Sequence, residues 1–260
     1  MDSLNIEFRK CFMIKNMIKA VLPDVVRLWM WRQCARLKRP PPLGWRLFGS
    51  LRYLHPIRRG FGYPHGQCID RYYIEDFLAC YASDVQGCVL EIGDNTYTRR
   101  YGGERVSKSD VLFVSSGNPQ ATIVADLTRA DNIPSDLFDC IILTETLQFI
   151  YGMRAAIRTL YRILKPGGVL LVTLPGITQI ARYDMDRWGE YWRFTSLSAR
   201  MLFSEVFPEN CVSVHTYGNV LTAVALLHGL VSEELNKGEM DHHDPDYEVS
   251  IMVRAMKPRL

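Results

Sequence analysis

The sequence predicts a doubly wound α/β fold, in which helices cover both faces of a mostly parallel sheet. From residue 69 onward, short apolar runs alternate with longer segments whose apolar residues recur at helical spacing. The runs Cys88–Ile92, Phe138–Leu143 and Val169–Leu174 are nearly continuous in apolar residues, as expected of strands buried on both faces. Such strands alternating with helices are typical of a parallel sheet.

The remaining elements follow from the same two patterns. Four segments carry apolar residues at helical spacing: 69–81, 153–164, 196–207 and 220–235. The second of these is stopped by Pro166-Gly167-Gly168. Three further segments have strand character: 121–125, 212–217 and 249–255. The predicted order is therefore an alternating α/β region followed by a carboxyl-terminal part of mixed elements.

Charge is distributed unevenly along the 260 residues. Residues 1–60 hold 13 Lys/Arg against 3 Asp/Glu, a net charge of +10, whereas the rest of the chain carries −7. The tract Arg39-Pro40-Pro41-Pro42 cannot continue a helix and marks a linker. We therefore predict a basic helical arm at residues 1–45 and a single larger domain at 46–260.

The basic arm allows two interpretations. An amphipathic basic helix can lie on an anionic membrane surface or contact an anionic partner, and it can equally pack on its own domain. No nucleic acid is expected as a partner. The seven cysteines include no C-x-x-C pair, which suits reduced thiols. No run of about 18 uncharged apolar residues occurs either, so a cytoplasmic protein is predicted, with its oligomeric state open.

Three motifs carry the chemistry. VLEIG (89–93) ends a predicted strand on an acid and a glycine, and IVADL (123–127) ends another on an aspartate. LKPGG (164–168) precedes a fully apolar strand. In open α/β sheets, ligands bind at the carboxyl ends of strands, so the first two motifs mark a candidate binding site.

With these motifs, and with YWRFT at 191–195, the chain resembles class I S-adenosylmethionine-dependent methyltransferases over residues 68–257. It is most similar to the small-molecule type found in polysaccharide or natural-product clusters. The resemblance implies a Rossmann-like sheet of seven strands whose last strand is antiparallel. It also implies S-adenosylmethionine as the cofactor, no metal ion, and a small acceptor such as a hydroxyl of a sugar or polyketide-like metabolite.

The loop after the first strand departs from the family pattern E-x-G-x-G-x-G. The resemblance places Glu91 near the methionine end of the cofactor and lets the backbone approach it at Gly93. Asn95 and Tyr97 stand where the family has its second and third glycines. Asn tolerates positive φ, and we expect the ring of Tyr97 to stand over the sulfonium as a cation–π partner. The loop is thus predicted to be remodelled rather than lost.

Further cofactor residues are carried over by position. Asp110 matches the acid that takes the two ribose hydroxyls, as a carboxylate can accept two hydrogen bonds. Asp126 matches the acid that accepts from the adenine amino group, with Leu127 beside the ring. Thr144, just past the predicted fourth strand, lies where the methionine moiety and the acceptor meet.

Three residues are candidates for the base that takes the acceptor proton: Glu145, Asp184 and His215. The aromatic and charged residues of 182–194 suit a polar, ring-shaped acceptor. Two alternatives remain. A nicotinamide-linked oxidoreductase would need G-x-G-x-x-G after the first strand, which is absent. A methyltransferase-like fold that serves only as a binding or scaffold protein would explain the missing glycines but not the retained acids.

Overall fold

The structure is a computed structural model, and it describes Val26 and residues 54–259. Apart from Val26, the predictions for the basic arm at residues 1–45 therefore lie outside the described residues. From Pro56 onward the described chain forms one compact unit. In that part of the chain, no helix combines the length and apolarity that crossing a bilayer requires.

The described residues form a sheet and the helices that cover it. The strands are β1 Gly87–Ile92, β2 Val106–Phe113, β3 Ile123–Val124, β4 Phe138–Thr144, β5 Leu164–Pro175, β6 Val212–Tyr217 and β7 Ser250–Met256. The α-helices are α1 Ile69–Cys80, α2 Met153–Ile163, α3 Arg182–Trp188, α4 Ser196–Ser204, α5 Val220–Leu227 and α6 Lys237–Asp241.

The sheet has seven strands in the order β3-β2-β1-β4-β5-β7-β6. Strands β1 to β5 pair in parallel, and β7 runs antiparallel to both β5 and β6. This confirms the predicted doubly wound fold with its antiparallel last strand. The chain builds outward from β1 through β2 to β3 and then returns to place β4 on the other side of β1. A crevice therefore opens at the carboxyl ends of β1 and β4.

Both faces of the central part of the sheet are buried, which explains why β1, β4 and β5 are largely apolar. Successive residues of β4 alternate between the two core layers: Ile141 and Leu143 in one, Cys140 and Ile142 in the other. Helices α2 and α4 contribute to the first layer, and α1 and α5 to the second. The predicted apolar side of α2 is confirmed by its buried residues Ala156, Ile157, Leu160 and Ile163.

The structure shortens three predicted elements: the helix 196–207 ends at Ser204, and two others change more. The segment 220–235 is helical only to Leu227, because the backbone turns to positive φ at Gly229 and a side chain there would collide with the carbonyl oxygen of Arg58. The predicted strand 121–125 is reduced to Ile123–Val124 at the sheet edge, where β3 pairs only with β2. Tertiary contacts, rather than apolar periodicity, set both boundaries.

Gly176 shows how tightly the end of β5 packs against the chain that leads into β7. Its N–H donates to the carbonyl oxygen of Val249 at 3.0 Å, and an added Cβ would collide with the carbonyl oxygen of Glu248. We expect Gly176→Ala to lower the free energy of unfolding by about 1–3 kcal/mol, as measured by urea denaturation, because backbone must move. The control is Gly238→Ala within α6, where the added Cβ would lie 3.4 Å from Oδ1 of Asn236 and meet nothing closer. This change should alter the free energy of unfolding by less than about 1 kcal/mol. Equal effects would contradict the packing argument.

Candidate active site

A cleft of about 660 Å³ lies at the carboxyl ends of β1, β2 and β4, where the strand order reverses. We call it the strand-end cleft. Its size is in the range of small-molecule sites. Its lining includes Ile92, Gly93, Phe113, Val114, Asp126, Leu127, Thr128, Glu145, Phe149, Tyr151, Trp188 and Tyr191. The motifs VLEIG and IVADL therefore do meet at one place.

Glu91 is buried beneath this cleft and fixes the loop that follows β1. Its carboxylate accepts hydrogen bonds from the N–H of Tyr97 at 3.1 Å and from the N–H and hydroxyl of Thr98, both at 2.7 Å. Burial raises the pKa of Glu91, and these donors oppose the rise. The crossover then continues through a π-helical turn at Thr98–Gly102 and a 3₁₀ turn at Gly103–Arg105 before β2 begins.

Gly93 is the residue of this loop that faces the cleft. Its φ of 89° belongs to the region that glycine favours, and a Cβ placed there would meet nothing within 4 Å. The backbone is therefore open to the cleft at this residue. Asn95 does not adopt positive φ, so that part of the prediction was wrong. Its side chain instead donates to the hydroxyl of Ser109 at 3.3 Å.

Tyr97 does not stand over the cleft, and the predicted cation–π contact with a sulfonium is corrected. Tyr97 is only 4% exposed, and its ring packs in the core layer beneath α1. The residue lines neither the strand-end cleft nor a smaller cavity beside it, which is described below. Its hydroxyl accepts a hydrogen bond from Arg71, and burial raises the pKa of Tyr97 to about 12. The ring fills the space that the shortened crossover leaves.

Asp110 also lies elsewhere than the resemblance implied. Strand β2 continues to Phe113, so Asp110 sits within the strand, paired opposite Leu90. Its carboxylate accepts from Lys108 at 2.7 Å and from the hydroxyl of Thr122 at 2.9 Å. The residues at the strand end, where a ribose acid would stand, are Phe113 and Val114.

Asp126 and Leu127 stand in the wall of the cleft after β3, at the positions expected for adenine contacts. One carboxylate oxygen of Asp126 accepts from the N–H and hydroxyl of Thr128 at 2.9 and 2.8 Å, and Leu127 is buried. Among the described residues the other oxygen has no hydrogen-bond partner. Thr144 ends β4 without lining the cleft, whereas Thr146 lines it.

Glu145, just after the end of β4, has a strained backbone and a buried carboxyl group. Its φ of 42° is rare for a residue with a side chain, and its N–H is held by the hydroxyl of Thr173 at 3.0 Å. Its carboxylate accepts from the same hydroxyl and from the amide of Gln148, both at 3.1 Å. Burial, together with the nearby carboxylate of Asp70, raises the pKa of Glu145 to about 8.

A second, smaller cavity of about 230 Å³ adjoins the first, and we call it the acidic cavity. Glu145 and Phe149 line both cavities. The other lining residues that bear on its chemistry are Phe61, Asp70, Arg71, Gln148, Asp184 and Glu190. The structure therefore brings Glu145 and Asp184, two of the three predicted catalytic residues, to one cavity.

His215 does not belong to this site. It lies in β6, the edge strand on the far side of β7, and its Nε2 is 2.8 Å from the hydroxyl of Tyr81. Burial lowers its pKa. It lines neither cavity, so its predicted role as a base is corrected to a packing and hydrogen-bonding role.

Several site residues escaped the sequence prediction. Asp70 and Arg71 lie on α1, before the sheet begins, and Gln148 lies in a single helical turn after β4. None belongs to a motif, so no local signal could reveal them. The aromatic segment 182–194 gave a signal, and Trp188 from it packs edge-on against Phe113 with ring centroids 6.0 Å apart.

Comparison with known proteins identifies the class. A family model described as "Methyltransferase domain" matches residues 68–207, which is more than half of the chain. Together with the doubly wound sheet and its strand-end cleft, this defines a class I methyltransferase, an enzyme that uses S-adenosylmethionine. The chain belongs to this methyltransferase-domain family. No protein with a curated description matches the sequence.

Solved structures with a similar fold are distant in sequence. A SAM-dependent methyltransferase from Archaeoglobus fulgidus is 12% identical, with a TM-score of 0.49 over 72% of this chain and 94% of that one. The N-methyltransferase NodS from Bradyrhizobium japonicum, solved with S-adenosyl-L-homocysteine, is 16% identical, with a TM-score of 0.46 over 78% and 95%. What those proteins bind or methylate says nothing of the acceptor here.

Tyr97→Ala tests the corrected role of this ring. We expect the free energy of unfolding to fall by about 3–5 kcal/mol, because a large buried aromatic leaves a cavity. The ratio of affinities for S-adenosylmethionine and S-adenosylhomocysteine, measured by calorimetry, should stay unchanged. Tyr97→Phe should keep most of the stability. A changed affinity ratio in Tyr97→Ala would instead support the original prediction that the ring contacts the sulfonium.

Asp126→Ala tests the cofactor side of the cleft. If the free carboxylate oxygen accepts from the adenine amino group, binding of S-adenosylhomocysteine should weaken by about 1.5–3 kcal/mol in calorimetry, as for a lost hydrogen bond to a charged group. Asp131→Ala, at an exposed position outside the cleft, is the matched control. Unchanged affinity in a folded Asp126→Ala protein would assign the residue to loop structure alone.

Proposed function

We propose that this methyltransferase acts on a hydroxyl group of a small acceptor, of the sugar or polyketide-like class, bound in the acidic cavity. The proposal rests on the two wall residues, Glu145 and Phe149, that the strand-end cleft and the acidic cavity share. Ligands in the two cavities would meet at these side chains. That arrangement suits the in-line alignment that methyl transfer requires.

The residues of the strand-end cleft fit the cofactor. Open space in front of Gly93 leaves room for a ligand against the backbone, and Asp126 offers a free carboxylate oxygen beside the apolar side chain of Leu127. S-adenosylmethionine supplies a methyl group already activated on a sulfonium. The protein therefore mainly needs to hold the acceptor oxygen in place and remove its proton.

Glu145 is the proposed base for that proton. Its pKa of about 8 lies near physiological pH, where a general base is most effective. Its strained backbone supports the assignment, since such strain persists mainly at functional sites. Charged groups around the same cavity are Asp70, Arg71, Asp184 and Glu190, the last paired with Arg193, so Glu145 titrates in a predominantly acidic setting.

We also propose a cytoplasmic site of action, with the basic arm at residues 1–45 contacting an anionic membrane surface or partner. In support, the cysteines of the described chain at positions 68, 80, 88, 140 and 211 are all free thiols, as in a reducing compartment. The net charge of the arm supports the contact.

Transfer of a labelled methyl group from S-adenosylmethionine to a panel of sugars and polyketide-like alcohols tests the proposed function. With an accepted alcohol, kcat/KM should rise about tenfold per pH unit and level off above about 8, because only the ionised form of Glu145 can take a proton. Glu145→Gln should abolish this rise and lower kcat by about 10²–10⁴-fold.

The control is Glu209→Gln, an exposed glutamate outside both cavities. It should leave the pH profile intact. A rising limb that survives in Glu145→Gln would place the base elsewhere. A methyl group found only on nitrogen or carbon of the accepted compounds would refute the hydroxyl assignment.

A further inference from the structure

We propose that the acceptor also carries a protonated amine, and that the acidic cavity binds this ammonium group through Asp70, Asp184 and the side-chain oxygen of Gln148. The inference rests on the proposed function and deepens it. The ammonium group would select the acceptor, while its hydroxyl group would face Glu145 at the boundary with the strand-end cleft.

The wall of the acidic cavity is rich in carboxyl groups. Four carboxyl groups line it, those of Asp70, Glu145, Asp184 and Glu190. Glu190 is neutralised by Arg193 at 2.7 Å. Within residues 54–259, no salt bridge reaches any of the other three. Burial raises the pKa of both Asp70 and Asp184, and the nearby charges of Arg71 and Arg187 only partly oppose this rise.

Arg71 is the only cationic residue in the wall of the acidic cavity as the described chain forms it. Its guanidinium group donates to the hydroxyl of Tyr97 and lies 5.5 Å from the centre of that ring. Arg71 is the neighbouring charge that favours ionisation of Asp70. Even if it fully offsets Asp70, the cavity keeps the carboxyl group of Asp184, which a cationic ligand would balance, and the same cation would favour the ionised form of Glu145.

The same wall also offers a hydrogen-bond acceptor, the amide oxygen of Gln148. Gln148 is 3% exposed, and its amide nitrogen donates to Glu145. Its amide oxygen is buried and has no hydrogen-bond partner among the described residues. Leaving such an oxygen unpaired is destabilising, so a bound donor would be stabilising. An ammonium group supplies up to three N–H donors and no acceptor, which matches a wall of carboxylate and amide oxygens.

The lining of the acidic cavity also favours an organic cation over a metal ion. Phe61 and Phe149 line the cavity beside the acids, and aromatic faces attract organic ammonium groups. A metal ion would need several ligand side chains grouped around one point. Within residues 54–259, no three His, Cys, Asp or Glu side chains are so grouped. The wall therefore suits an amine better than a metal.

The experiment compares a protonated amine with two neutral counterparts of the same sugar framework. Glucosamine, its N-acetylated form and glucose are titrated into the complex of the full chain with S-adenosylhomocysteine, and aminosugars with the amine at carbon 3 or 6 extend the series. At least one amine should bind about tenfold or more tightly than both of its neutral counterparts. Asp184→Asn should remove most of this preference. Asp186→Asn, an exposed residue of the same helix paired with Arg182, should not.

The outcomes separate the inference from the proposed function. Equal binding of amines and neutral sugars, or a preference that survives in Asp184→Asn, would overturn the ammonium site even where a neutral alcohol is methylated on oxygen. An amine preference that depends on Asp184 would support the site even where no oxygen is methylated, and the proposed function alone would then fail. Gln148→Leu, checked for its melting temperature, should lower the amine preference without changing S-adenosylhomocysteine affinity.

Discussion

The geometry of the cofactor side depends on the carboxylate of Glu91. By accepting three hydrogen bonds from Tyr97 and Thr98, it holds the short crossover between β1 and β2 in place. A glycine-rich loop is flexible, and it follows the backbone path that its hydrogen bonds allow. Here a buried side chain fixes that path, and from Gly93 to Gly102 the backbone has positive φ only at Gly93, next to the cleft. The loop can therefore lose its other glycines without losing its shape.

The same hydrogen bonds connect the two cavities. Because Glu91 binds the N–H of Tyr97, the ring of that residue turns into the core instead of toward the cleft. Its hydroxyl then receives the guanidinium group of Arg71, which lines the acidic cavity. The position of the one arginine in that wall is thus set by a loop on the cofactor side. The position of Arg71 in the acidic cavity and the path of the loop after β1 therefore both follow from the hydrogen bonds that Glu91 accepts.

The sequence predicted the sheet because burial on both faces leaves a strong local signal, as in Val169–Leu174. It misplaced Asp110, because the polar start of β2 hides where that strand ends. The motif IVADL placed Asp126 at a strand end, and Asp126 lines the strand-end cleft. Asp70 and Gln148 meet only through the tertiary fold, and an aspartate on a helix carries no sign of the cavity it will line. Residues of this second kind lie beyond what local sequence patterns can show.

The two carboxyl groups at opposite ends of strand β4 lie in very different surroundings. At its amino end, Asp139 accepts from Lys165 at 2.7 Å and from the N–H of Cys88 at 2.8 Å, so its charge is balanced. Just past its carboxyl end, Glu145 has strained backbone and a raised pKa, and no salt bridge in the described chain reaches it. Stability alone would favour a glycine at that φ. A carboxyl group that costs stability at the junction of two cavities is the feature on which the proposed role of Glu145 rests.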